Sequence, residues 1–176
     1  GESIVPLVNY LDYDVMAAGN HEFDYGWQQT LKLKRMLNFP LISANVYRSN
    51  GKLLLTPVYY ANIGGERFAF LGFVTQETSI LTHAKNVAGL EFKDPVALAQ
   101  ELVPKLKQKV DHVIVVSHVG IQVDRKIAKS VKGIDVIIGG HTQVPLWAPE
   151  FINGTFIVQD WEYGKTLGRL DMFYFD

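Results

Sequence analysis

The chain has 176 residues, 48% of them apolar and 20% charged, with a formal net charge of −1 and no cysteine. That length accommodates one domain with a sizeable core, and the near-neutral, evenly spread charge argues against a nucleic-acid polymer or an anionic membrane as main partner. The missing cysteines exclude disulfide frameworks and thiolate metal sites, and no apolar run approaches the ~18–20 residues of a membrane-spanning helix.

Gly1-Glu2-Ser3 leads at once into Ile4, Leu7, Val8 and Leu11 at helical spacing. This predicts a short amphipathic helix over 3–11, and so abrupt an opening is expected of a fragment. Asp12-Tyr13-Asp14 is the turn into a first strand, 14–18. Its apolar run, Val15-Met16-Ala17-Ala18, ends in Gly19-Asn20-His21-Glu22-Phe23-Asp24. An amide, an imidazole and two carboxylates thus follow a buried strand, and open α/β sheets place their chemistry at the carboxyl ends of strands.

Residues 26–38 suit an amphipathic helix that Pro40 stops, followed by a brief strand at 41–43. The runs 57–63 and 67–74 flank Gly64-Gly65-Glu66 and predict a hairpin, so part of the sheet is antiparallel. Residues 75–93 read as loop with a short helix. Asp94-Pro95 is an N-cap with proline at the first helical position, starting a helix to about residue 109 that Pro104 is expected to kink.

Val113 to Val116 and Asp135 to Ile138 are continuous apolar runs of the kind buried on both faces, with a helix over 122–131 between them. Residues 156–158 and 167–175 predict two more strands. The expected fold is one α/β domain over 1–176, with two packed mixed sheets flanked by helices.

The strand over 113–116 ends in Ser117-His118-Val119-Gly120, and that over 135–138 in Gly139-Gly140-His141-Thr142-Gln143. Three strands therefore each deliver an imidazole just past their carboxyl ends, which raises a shared site well above a set of separate capping residues. Nitrogen and oxygen donors without sulfur suit Zn²⁺, Mn²⁺, Fe or similar ions. His83, His112, Asp124 and Arg125 are expected at the surface, Glu22 is expected to be a bystander, and Trp147 and Trp161 fall near the site loops as pocket wall or packing.

Gly-Asn-His-Glu-Phe-Asp, Ser-His-Val-Gly and Gly-Gly-His-Thr-Gln, in that order, resemble successive motifs of the calcineurin-like metallophosphoesterases. They are most similar to the branch holding 5′-nucleotidases, UDP-sugar hydrolases and 2′,3′-cyclic-nucleotide phosphodiesterases. Val158-Gln159-Asp160, Glu162 to Lys165 and Leu167 to Leu170 extend the likeness, as does Val8-Asn9-Tyr10 through Asp14.

The resemblance implies a four-layer α/β/β/α fold, two divalent metal ions and hydrolysis of a nucleotide or other phosphoester. Carried over by position, Asn20, His118 and His141 would hold one ion and Gln143 would help hold the other. Asn20 and His21 would meet substrate, and Asp24 would orient the His21 imidazole for catalysis. Periplasmic or cell-surface location is implied by the resemblance alone. The family's Asp-x-His and Gly-Asp motifs, which supply the other ligands and a bridging carboxylate, do not occur in this sequence. Asp14 cannot replace them, since it begins a strand that ends roughly 15 Å further on. The resemblance thus implies a catalytic domain truncated at its N-terminal side. The other reading is a non-catalytic domain that retains the fold.

Overall fold

The computed structural model describes residues 1–173. In chain order the elements are α1 (Val5–Tyr10), β1 (Met16–Ala17), α2 (Trp27–Met36), β2 (Leu41–Ile42), β3 (Val46–Arg48), β4 (Val58–Ile63) and β5 (Glu66–Val74). They continue with α3 (Thr78–Leu81), β6 (Leu90–Phe92), α4 (Pro95–Lys107), β7 (His112–His118), α5 (Ile121–Ser130), β8 (Val136–Gly139), β9 (Glu150–Ile152) and β10 (Thr155–Gln159).

The main sheet has the order β4-β5-β7-β8-β10-β9. β5, β7, β8 and β10 run parallel, and both edges are antiparallel, through the β4–β5 hairpin and the β9–β10 pair. Gly64 and Gly65 both take positive φ, as a tight hairpin turn with the strands' own twist requires. β1 pairs with β2 in parallel, and β3 with β6 antiparallel, as two small satellite sheets. The architecture is the expected mixed α/β arrangement of sheets flanked by helices.

One core lies between the main sheet and helices α4 and α5, built from Leu71, Phe73, Val103, Val115, Ile127, Ile137 and Ile157 among others. A second joins β1 and β2 to the satellite strands through Phe23, Leu41, Val46, Val74 and Phe92. Phe23 meets Phe92 edge-on with ring centroids 5.2 Å apart. Burying a side chain of this size contributes about 1.5–3 kcal/mol, so Phe23 nails the Asn20–Asp24 turn onto the domain. Asp94 caps α4 by accepting from the Val96 N–H at 2.9 Å. α4 runs through Pro104, which lies on the solvent side where the carbonyl it frees can be hydrated.

Several expectations are corrected. The stripe on residues 4–11 is not a core face. Val5 is buried, but Ile4, Leu7 and Leu11 are about half exposed, because nothing among the described residues packs over them. Residues 167–173 pair in no ladder, and Leu167 and Phe173 stand exposed; positions 174 and 175 of that expected strand lie outside the described residues. His112 is buried rather than superficial, its ring against Phe68 and its nitrogens each 3.6 Å from a carboxylate, of Glu66 and of Asp135. Among the described residues, no helix is long and apolar enough to cross a membrane.

Candidate active site

β1, β7 and β8 deliver their carboxyl ends to one place. After β1 the chain turns through a 3₁₀ segment, Asn20–Phe23. Glu22, expected to be a bystander, holds that turn: its buried carboxylate accepts from the Gly19 N–H at 2.6 Å. Burial raises the Glu22 carboxyl, against the lowering effect of this bond. Thr30 donates to the Glu22 carbonyl at 2.5 Å, and Asn86 donates to that of Asp24 at 2.6 Å. The turn is therefore braced from α2 and from the loop before β6.

Asn20 Oδ1 lies 3.0 Å from His118 Nε2. The rings of His118 and His141 stand 5.1 Å apart between centroids. His118 fits where it does because two glycines flank it. A Cβ on Gly19 would meet its ring at 3.0 Å, and one on Gly140 would meet its Nδ1 at 3.3 Å. Gly19→Ala is accordingly expected to displace the imidazole by a few tenths of an ångström. The displacement is checked by the ring nitrogen resonances of His118, which should shift against those of the unsubstituted protein.

The electrostatics suit a cation. Burial, reinforced by the nearby His141 and His21, pushes the His118 imidazole down to about 4, so it is neutral at physiological pH with a lone pair to give. His141 takes a positive φ just past β8, and Glu77, just past the end of β5, brings a carboxylate oxygen to 3.7 Å from its Nε2. Glu77 escaped notice in the sequence although it follows a strand end, because only the register of β5 against β7 shows that this end joins the others.

His21 and Asp24 form a pair on the rim: Nδ1 and Oδ2 are 2.8 Å apart, and the imidazole is 79% exposed. With Nδ1 engaged, Nε2 is the nitrogen left to meet a substrate. Gln143 lies two residues past His141, exposed, on a loop of positive φ. Trp147 and Trp161 meet at 6.4 Å, both exposed, on the loops after β8 and β10.

The donor set fits a borderline divalent ion. Two ligands at about 2.0–2.2 Å from one metal lie about 3 Å apart when they meet at right angles, which is the spacing of Asn20 Oδ1 and His118 Nε2. The amide of Asn20 and the imidazole of His118 both offer neutral donors. Among the described residues, no group of three His, Cys, Asp or Glu side chains forms a metal cluster.

Two sequence expectations fail here. Asp124, placed at the surface, is wholly buried behind the site, and Arg125 is ion-paired to Glu150 rather than free in solvent. α5 presents Ile121, Asp124, Ile127 and Ala128 as one inward face, and charge alone had argued against that placement.

The 5′-nucleotidase of Vibrio cholerae is 32% identical over 92% of this chain, which covers 35% of that protein. A crystal structure of a 5′-nucleotidase precursor from Thermus thermophilus superposes with a TM-score of 0.85 at 31% identity, over 94% of this chain and 36% of that one. The structure of Haemophilus influenzae NAD nucleotidase gives 0.83 at 28% identity, over 93% of this chain and 33% of that one. The chain thus spans about a third of the length of the relatives it matches. Residues 2–145 match the family described as calcineurin-like phosphoesterase, and the chain belongs to that family.

Proposed function

We propose that residues 1–176 form most of a catalytic domain with which the whole protein hydrolyses nucleotide phosphoesters, 5′-nucleotidase fashion, using two divalent cations. The observation that carries this reading is the convergence of Asn20 Oδ1 and a neutral His118 on each other at 3.0 Å, with His141 alongside and the His21–Asp24 pair on the rim. The names of the relatives support the substrate class, and the family's use of divalent ions supports the cofactor. The Thermus neighbour is a precursor, which supports an exported protein acting in the periplasm or at the cell surface.

Asn20, His118 and His141 would hold one ion, and Gln143 would contribute to the second. When bound, such a pair lowers the pKa of an attacking water and neutralises charge on the phosphoryl group. The chain's own residues do the rest. Asp24 fixes the His21 ring through Nδ1, which leaves Nε2 to hydrogen-bond the phosphoryl oxygens and to hand a proton to the departing nucleoside oxygen as the P–O bond breaks. Glu77 stands beside His141 with its carboxylate 3.7 Å from the ring nitrogen, adding negative charge next to the proposed site.

The test is phosphate release from nucleoside monophosphates by the whole protein with Mn²⁺, Co²⁺ or Zn²⁺. Chelation is expected to remove activity by at least a hundredfold, and restored metal to recover it. Turnover indifferent to chelation would overturn the reading, and no turnover with any ion would favour a non-catalytic domain.

A further inference from the structure

Behind the site, Asp124 on α5 has no solvent exposure. Its Oδ1 accepts from Ser117 Oγ at 2.5 Å, and its Oδ2 has no hydrogen-bond partner. Gln159, at the end of β10, is also buried, and its Oε1 is likewise unpartnered. The two orphan oxygens face one point, since a Cβ on Gly139 would lie 2.8 Å from Asp124 Oδ2 and 3.0 Å from Gln159 Oε1. Glycine at 139 therefore keeps open the space the two side chains share.

Two unpaired oxygens gathered about one buried point repel, and each unpaired buried group costs stability. Reversing the Gln159 amide does not solve this. Its Nε2 donates to the Val144 carbonyl at 2.9 Å, so reversal would set one carbonyl oxygen against another. With the amide held that way, Oε1 must look toward Asp124, and the conflict disappears when Oδ2 carries a hydrogen.

We propose that Asp124 is a positioning residue that is protonated in the folded protein, donating from Oδ2 to Gln159 Oε1 while accepting from Ser117. The clasp joins Ser117, one residue before His118, to the loop that carries His141 and Gln143, which Gln159 grips at Val144. Thr142 adds a second tie, its hydroxyl accepting from the Ile121 N–H at the start of α5 at 3.2 Å. The groups facing Asp124 from β7, β8 and β10 are Ser117, Gly139 and Gln159, none of them charged, and Arg125 beside it is paired with Glu150. Burial accordingly pushes the Asp124 carboxyl up to about 7, with the Ser117 bond opposing. What the clasp positions rests on the proposed roles of His118 and His141, but the proton itself does not.

The experiment compares the full chain with Asp124→Asn and Asp124→Ala. Asparagine keeps a neutral acceptor for Ser117 and a donor for Gln159. The unsubstituted protein binds the extra proton when folded, so its stability should fall as pH rises from about 4 to about 7. Asp124→Asn should lack that component and melt higher than the unsubstituted protein at pH 8. At pH 6 the infrared spectrum should show a buried carboxylic-acid C=O band that Asp124→Asn removes. Imidazole nitrogen resonances of His118 and His141 should stay unmoved in Asp124→Asn and shift in Asp124→Ala, which should melt roughly 5 °C lower or more. The proposal is overturned if no protonated-carboxyl band is present, or if Asp124→Asn melts far below the unsubstituted protein at pH 6. Unchanged imidazole resonances in Asp124→Ala would remove the positioning role. None of these readouts depends on turnover, so a failed nucleotidase assay leaves them to be judged separately.

Discussion

Replacing His21 with alanine is expected to lower kcat for a nucleoside monophosphate by about 10²–10⁴-fold while leaving the metal content of the protein unchanged. The split follows from geometry. His21 stands apart from the Asn20–His118–His141 group, with its Nδ1 turned to Asp24 at 2.8 Å and its ring open to solvent. In the proposed mechanism its loss removes a proton donor and a hydrogen bond to the phosphoryl oxygens, and it leaves every proposed metal donor in place. His118→Ala should do the reverse. That imidazole is packed between Gly19 and Gly140 and faces Asn20 Oδ1, so its loss should empty the proposed metal site and take activity with it. Asp24→Asn should be milder than either, at about 10–100-fold in activity, as for partners that orient a working imidazole. Metal analysis of each purified variant beside steady-state rates makes the comparison. His21→Ala retaining full kcat, or losing metal as His118→Ala does, would sink the assignment of roles.

Much of this arrangement is legible in the sequence because it rests on local patterns. Val113 to Val116 and Val136 to Ile138 are apolar on both faces, and the Gly-His and Ser-His steps that follow mark strand ends. What escaped was decided by pairing or by burial of polar groups. β3, β6 and β9 have three residues each, too few for a periodicity, and exist because their partners are held nearby. Residues 167–173 alternate as a strand should, yet alternation says which side chains share a face and supplies no neighbour to bond with. Asp124 and His112 escape because burial of a polar side chain is decided by tertiary packing. Both occupy inward positions, and their partners (Ser117 for one, Glu66 and Asp135 for the other) lie on other elements. Glu22 belongs with them: its bond to the Gly19 N–H is local, but nothing in residue type separates a capping carboxylate from a ligand.

Asn45→Leu is expected to cost about 3 kcal/mol of stability and to lower the melting midpoint by roughly 8 °C, although leucine has the same branching and number of side-chain heavy atoms as asparagine. Asn45 is completely buried, and its amide uses all its capacity. Nδ2 donates to the carbonyls of Val74 at 2.7 Å and Lys93 at 3.0 Å, while Oδ1 accepts from the Val74 N–H at 3.0 Å and from Ser43 Oγ at 3.1 Å. One side chain thus ties the segment after β2 to the end of β5 and to the residue after β6. Leucine would leave the Val74 N–H, the Ser43 hydroxyl and the two carbonyls without these partners. The effect should spread to the active site, because Thr75, next to Val74, donates its N–H to the His118 carbonyl at 2.9 Å. Urea denaturation of the variant should therefore show the loss in midpoint, and amide exchange at Thr75 should quicken beyond what the global loss explains. A loss below about 1 kcal/mol, or exchange at Thr75 that follows global unfolding alone, would mean that the ends of β2 and β5 are held by their apolar contacts and that Asn45 is a passenger.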